Sequence, residues 1–331
     1  MATRTPSGEA VTAPTSPRWL KTITGFTGLG GLRAICAMVT DRTPAVPEDL
    51  TLAEVMPAEA RHLDVDGRPV ALYETGTGDP AVIFIHGFAE HLRTWRPVQE
   101  QIAQTHRTVA LDLWGFGASA RPPDVKPSDW VRQFIGAMDA LGIERAVLVG
   151  HSLGGRVSLM TARAHPERVA GLVPVDADWG QAPHGYLIVW LLAHTPALPL
   201  ALGRLRSSPG HIQRTIDLIV TPNHHFTPEM IEGLFRPRRV VGSAACWRSL
   251  AAAPPLADVR GLADGVNVPA LVIWGADDPI VPLWAGQKLA RKLGCPIEVL
   301  EECGHFPPEE YPARTAELIE GFLGGLPQSS V

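Results

Sequence analysis

Cysteine is scarce in this chain, with Cys36, Cys246, Cys295 and Cys303 the only four in 331 residues and no C-x-x-C spacing among them. Such scatter excludes a disulfide framework and a cysteine-built zinc site, and it fits reduced thiols in a cytoplasmic protein. Charge is sparse too. Only 19% of residues are charged, the formal net charge is −5, and no long basic run occurs, so nucleic acid, which needs clustered Lys and Arg, is not an expected partner. G-x-G-x-x-G after a strand-like run, G-x-x-x-x-G-K-[ST] and H-E-x-x-H are all missing. The adjacent His224 and His225 cannot aim at one ion, because consecutive side chains point apart. Neither a cofactor nor a metal is therefore expected. An apolar run of about 20 residues, which a membrane span needs, is also lacking. Trp19 to Val39 is broken by four glycines and Arg33, and Tyr186 to Leu192 is too short. No integral membrane segment is expected.

What is present is a globular composition, 45% apolar, in a chain long enough for one large domain with an insertion. Residues 1–17 are rich in Thr, Ser, Pro and Ala and read as a disordered tail. Residues 18–58 read as an N-terminal helical extension docked on the domain. From His62 the pattern changes to short strand-like runs: His62–Asp66, Pro69–Thr75, Ala81–Ile85, Thr108–Asp112, Ala146–Val149, Gly171–Val175, Ala270–Trp274 and Ile297–Leu300. The first two form a hairpin, and the rest alternate with helix-length segments. Such alternation implies a mostly parallel, eight-stranded α/β sheet covered by helices on both faces. Residues 59–178 and 267–325 form that core, and the interval 179–266, too long for one crossover, reads as a helical cap.

The chemistry is carried by Gly150-His151-Ser152-Leu153-Gly154-Gly155, placed after the apolar run Ala146–Val149. A serine on a sharp strand-to-helix turn lifts its Oγ clear of the backbone, and only small residues fit two positions to either side. Gly150 and Gly154 stand there, and a helix-compatible stretch, Gly155–Ala164, follows. A hydroxyl attacks well only when a histidine takes its proton and a carboxylate orients that histidine. The expected chain order is Ser, acid, His. Downstream, Ala270–Trp274 ends at Gly275 and is followed by Asp277-Asp278, either of which can be the acid. The loop Cys303-Gly304-His305-Phe306 follows the last strand and offers His305 as the base.

Taken together, the chain resembles the α/β-hydrolase-fold serine hydrolases, esterase- or lipase-like with a helical cap, from about His62 to Leu323. The matching stretches are Val82–Phe88, Asp112–Ser119, the Ser152 segment and the acid and histidine loops. The resemblance implies that the acid is Asp278, three residues after the strand-ending glycine. It also implies that the amide of Phe88 joins that of Leu153, next to the nucleophile, as the oxyanion donors. Substrate-pocket candidates are His86, His151, Trp179, Tyr186, Trp190, Trp247 and Phe306. The bland readings are that His86 and His151 satisfy buried backbone groups, that Asp112 fixes a loop, that Cys303 is a packing residue, and that Arg236–Arg239 is a solvated edge, from which one arginine facing inward could fix a carboxylate. Asp176 deserves note because some relatives carry their acid after that strand.

The reading is thus a cofactor-independent serine hydrolase that cleaves an ester, thioester or lactone of a small apolar acyl substrate through an acyl-enzyme at Ser152. Its rival keeps the same pocket for a non-hydrolytic use, as a small-molecule receptor or a biosynthetic cyclase, which fold alone does not separate.

Overall fold

The computed structural model describes residues 48–180, 208–222, 224–252 and 261–327. The expected tail, most of the expected extension with Cys36, and the cap residues Tyr186, Trp190 and Leu191 lie outside the described residues.

After a one-turn helix, α1 (Leu52–Val55), the chain enters the hairpin β1 (Arg61–Val65) and β2 (Arg68–Thr75), then β3 (Ala81–Ile85). There follow α2 (Arg96–Ile102), β4 (Thr108–Leu111), α3 (Pro127–Ala140), β5 (Ala146–His151), α4 (Leu153–Ala164) and β6 (Val169–Val175). Between β6 and the next strand the described residues hold α5 (Pro209–Ile216), α6 (Pro228–Phe235) and α7 (Ser243–Ala252). The chain closes with β7 (Val272–Gly275), α8 (Leu283–Leu293), β8 (Ile297–Leu300), α9 (Pro307–Glu310) and α10 (Pro312–Gly324). The eight strands form one sheet in the order β1-β2-β4-β3-β5-β6-β7-β8. Only the β1–β2 and β2–β4 pairings are antiparallel.

The reason lies in the side chains. β3 and β5 are buried along their whole length, as expected for strands covered on both faces. Alternate residues feed two cores. Ile83, Ile85, Leu148 and Trp274 pack with α3, α4 and α8 through Phe134, Val157 and Leu289, whereas Val82, Phe84, Val149 and Ile273 pack with α2 and α10 through Val98, Ile102 and Ile319. Each such large apolar side chain contributes about 1.5–3 kcal/mol. A third, smaller core joins the helices α5 and α6 through Ile212, Ile216, Phe226, Ile231, Leu234 and Phe235, and it includes Phe306 from the histidine loop.

Two local expectations shift. Helix α4 begins at Leu153, not Gly155, because Ser152 in the left-handed region (φ 50°) is itself the cap from which the helix starts. Ala270 makes only a single bridge to Leu172, and the strand proper begins at Val272. A third is refined. Arg236–Arg239 is a 3-10 turn with Arg236 exposed, while Arg238 is the one arginine that faces inward, where it is buried and donates to the carbonyl of Ala89. Burial alone pulls that guanidinium down to about 10.

Candidate active site

Ser152 sits at the tip of the turn between β5 and α4, with φ 50° and ψ −111°. A non-glycine residue in that region stores about 1–3 kcal/mol of strain and persists only where its surroundings hold it. They do so here: its amide donates to Val175 O at 2.9 Å, and its carbonyl accepts from Gly155 and Asp178 at 3.0 Å each. The turn also requires its glycines. A Cβ on Gly150 would run into the backbone of Gly154, and one on Gly154 into the carbonyl of Ile85.

The loop after β8 brings His305 to the serine. Its Nε2 lies 3.1 Å from Ser152 Oγ, and its Nδ1 lies 2.7 Å from Asp278 Oδ2. The other oxygen of Asp278 accepts from the amides of Ile280 and Val281 at 2.7 and 3.0 Å. This fixes the carboxylate with one edge toward the imidazole. Asp277 is exposed and has no such contact. The carboxylate thus holds Nδ1–H, leaving Nε2 free to accept the serine proton. All three side chains are nearly buried, at 5–9% exposure, which keeps their mutual electrostatics strong.

The two amides expected as oxyanion donors are without a hydrogen-bond acceptor among the described residues. As the first residue of α4, Leu153 has an N–H without an intrahelical acceptor, and Phe88 N–H makes no hydrogen bond among the described residues. The Phe88 ring, 45% exposed, leans on Phe116 and on Trp247 from α7, at 5.5 Å centroid distance each. An aromatic wall therefore stands beside the loop that carries this amide.

The other expected pocket residues divide. His86 is fully buried. It accepts the amide of Leu113 at Nε2 (3.1 Å) and donates from Nδ1 to Gly87 O (2.7 Å), so both ring nitrogens satisfy backbone groups. His151 is likewise buried: Nε2 lies 2.6 Å from His305 O and Nδ1 3.0 Å from Glu90 Oε1. Both nitrogens face acceptors, so both carry protons while Glu90 is ionised. Burial opposes that charge, but Glu90 outweighs it and holds His151 above its ordinary value. Burial would likewise raise Glu90, and His151 holds it below. Glu90 also accepts from Gly87 N at 2.9 Å, and so ties the Phe88 loop to the elbow. Phe306 packs on both His305 and His151. Trp179 is buried in the main core with its indole donating to Ala285 O, and Trp247 donates to Gly115 O at 2.9 Å.

Asp112 fixes its loop as expected, accepting from Leu92 and Ala118. Cys303 is a buried thiol whose burial pushes it far above the ordinary range, which leaves no thiolate for attack. Asp176 is wholly buried. Burial, then the charge of Asp278, raises its carboxyl well above the usual range, which favours its protonated form. His151, Asp176 and His305 bring one ligand-type atom each within 4.8 Å of one another. The nitrogens of His151 face His305 O and Glu90, and those of His305 face Ser152 and Asp278, so each imidazole nitrogen of this trio already has a hydrogen-bond partner.

Sequence reasoning missed Glu310, which lies five residues after His305 and accepts from the amides on either side of it. The signal was the carboxylate pair Glu309-Glu310 inside the Pro-rich stretch after the base, of which the fold selects Glu310. Glu90 was visible in Gly87-Phe88-Ala89-Glu90, but its partner His151 could come only from the fold.

The α/β hydrolase fold family model matches residues 80–312. A 2-hydroxymuconate semialdehyde hydrolase of Pseudomonas sp. (strain CF600) is 30% identical over 281 residues, covering 81% of this chain and 94% of that protein. Among solved structures, a thermophilic esterase from Thermogutta terrifontis superposes with a TM-score of 0.67 at 25% identity, over 81% of this chain and 98% of that one. A serine hydrolase involved in carbazole degradation superposes with a TM-score of 0.66 at 20% identity, over 80% and 98%, a likeness of fold alone. No helix among the described residues is long and apolar enough to cross a membrane.

Proposed function

Because the chain belongs to the α/β hydrolase fold family and is a hydrolase of the serine kind, we propose that Ser152 is its nucleophile, His305 its general base and Asp278 the acid that orients the base. The observation that carries this reading is the unbroken relay Ser152 Oγ–His305 Nε2 (3.1 Å) and His305 Nδ1–Asp278 Oδ2 (2.7 Å) at a strained turn. Ser152 Oγ attacks the carbonyl carbon while its proton passes to His305 Nε2, and the amides of Phe88 and Leu153 donate to the resulting oxyanion. Collapse expels the leaving group, which takes the proton from His305. Water, deprotonated by His305, then attacks the acyl-enzyme, and Ser152 leaves with the proton restored. No step calls on a metal or cofactor.

The substrate class we propose is an ester, thioester or lactone with an apolar acyl group, which the Phe88–Trp247 wall suits. The domain reading stands with it, residues 179–266 covering the site as a cap on a core of 59–178 and 267–325. A second reading is hydrolysis of a compound like 2-hydroxymuconate semialdehyde, favoured by the relative named above. The test is fluorophosphonate labelling together with kcat/KM for p-nitrophenyl esters and for that semialdehyde. Wild type should label and turn over, and Ser152→Ala should do neither. Labelling that persists at another residue in Ser152→Ala would sink the assignment, and tight binding of a cyclic ligand without turnover of any substrate would favour the receptor or cyclase.

A further inference from the structure

The backbone of His305 is gripped on every side by groups that touch no reacting atom. Buried Glu310 accepts from Gly304 N (3.0 Å) through Oε2 and from Phe306 N (3.0 Å) through Oε1, so one carboxylate spans the residue between them. The same Oε2 accepts from Thr221, from its amide at 2.9 Å and its hydroxyl at 2.8 Å. Thr221 belongs to the strap that follows α5, and the carbonyl of Ile219 in that strap accepts from the amide of His305 at 2.9 Å. The approach is close enough to require a glycine. A Cβ on Gly304 would lie 2.5 Å from Ile219 O and 2.9 Å from both Val220 Cα and Glu310 Oε1. The histidine loop and the strap from the helical insertion are thus one hydrogen-bonded unit, built around a carboxylate with all four donors in place.

We infer that Glu310 is a positioning residue for His305, and that through Thr221 it makes the strap 219–221 part of the frame that holds the base. This rests on the reading of His305 as general base. A buried carboxylate satisfied by four donors is strongly directional, and a base moved by about 1 Å from its attack geometry loses roughly 100-fold in rate. Because the grip acts on backbone, it constrains the imidazole without touching substrate, so its loss should be felt in turnover and not in binding.

The experiment compares wild type, Glu310→Gln and Thr221→Val in three measurements: the rate of serine labelling by a small dialkyl fluorophosphate, kcat and KM for p-nitrophenyl acetate, and the downfield proton resonance of His305 Nδ1–H, with the fold of each checked by thermal melting. Glu310→Gln should lower labelling and kcat by roughly 10- to 100-fold, leave KM within about threefold, and shift or broaden the resonance. Thr221→Val deletes one hydroxyl and leaves three donors. It should slow labelling by roughly three- to tenfold, although the small probe is too short to need the strap for binding. Folded variants with wild-type labelling, kcat and resonance overturn the inference, and an unaffected Thr221→Val does so even where Glu310→Gln fails to fold. A wild-type protein inert to the probe is a different result: it removes Ser152 and His305 from the chemistry, and the inference falls with them.

Discussion

Asp278 meets His305 with one oxygen, Oδ2 to Nδ1 at 2.7 Å, while Oδ1 is held from behind by the amides of Ile280 and Val281. An asparagine at 278 can keep Oδ1 on those amides only by turning its NH2 toward the imidazole, which forces the wrong tautomer. Asp278→Asn should therefore lower kcat by about 10³- to 10⁴-fold, and Asp277→Asn, at an exposed position, by no more than about twofold. Steady-state kinetics on one activated ester decide the matter, and the reverse ranking would transfer the role to Asp277.

Asp176 is the other acid near the site, and burial, then the charge of Asp278, holds its carboxyl well above the usual range. A carboxyl with a raised folded-state pKa keeps its proton where the unfolded chain has lost it, so stability falls as pH rises from the ordinary 3.8 through the folded value. Asp176→Asn removes that penalty and can still accept from Gly275 N. The variant should retain kcat within about threefold and show a flatter stability profile from pH 4 upward. A loss of activity as large as that of Asp278→Asn would make Asp176 part of the chemistry.

The His151–Glu90 pair makes the opposite contribution. Glu90, depressed below the ordinary 4.5, contributes stability above that pH that is lost as pH falls through its folded value. His151, raised above 6.5, contributes stability below 6.5 that is lost as pH rises through its folded value. The pair should thus be at full strength between about pH 4.5 and 6.5. Urea denaturation of wild type and Glu90→Gln across pH 4 to 9 should show the largest gap inside that window and a smaller one at pH 9. A gap that widens toward pH 9 would mean that His151 is not the charged partner.

The elbow glycines and a helix glycine should respond to alanine with opposite signs. At Gly154 the new methyl meets the backbone of Ile85 and His86, whereas at Gly321, on α10, it meets nothing within 4 Å. Gly154→Ala should cost about 1–3 kcal/mol or more, and Gly321→Ala should stabilise by about 0.5–1 kcal/mol. Chemical denaturation of both variants reads the difference.

Phe88 separates backbone from side chain. Its amide remains in Phe88→Ala, so turnover of p-nitrophenyl acetate should stay within about threefold. The ring is half exposed against Trp247, so the rise in kcat/KM with acyl length, roughly fourfold per methylene at best, should flatten in the variant. An unchanged rise would place the acyl group elsewhere.

Much of this protein was written in local pattern. The apolar runs Ala81–Ile85 and Ala146–Val149, too continuous for a one-sided sheet, specified parallel strands. Gly150 and Gly154 around Ser152 specified the turn, since no larger residue fits there. The order of serine, acid and histidine named the relay because each role needs a particular side-chain chemistry. What pattern could not carry were contacts between distant segments. Asp277 and Asp278 are chemically alike: residue type left both open, the family resemblance implied Asp278, and the contact with His305 itself appears only in the loop geometry that aims Asp278 at the imidazole. The inward turn of Arg238, the proton on each nitrogen of His151 and the grip of Glu310 on Gly304, Phe306 and Thr221 all depend on partners up to 154 residues apart. Burial and hydrogen-bond partners belong to the packed chain, and the charge state and direction of a polar side chain follow from them.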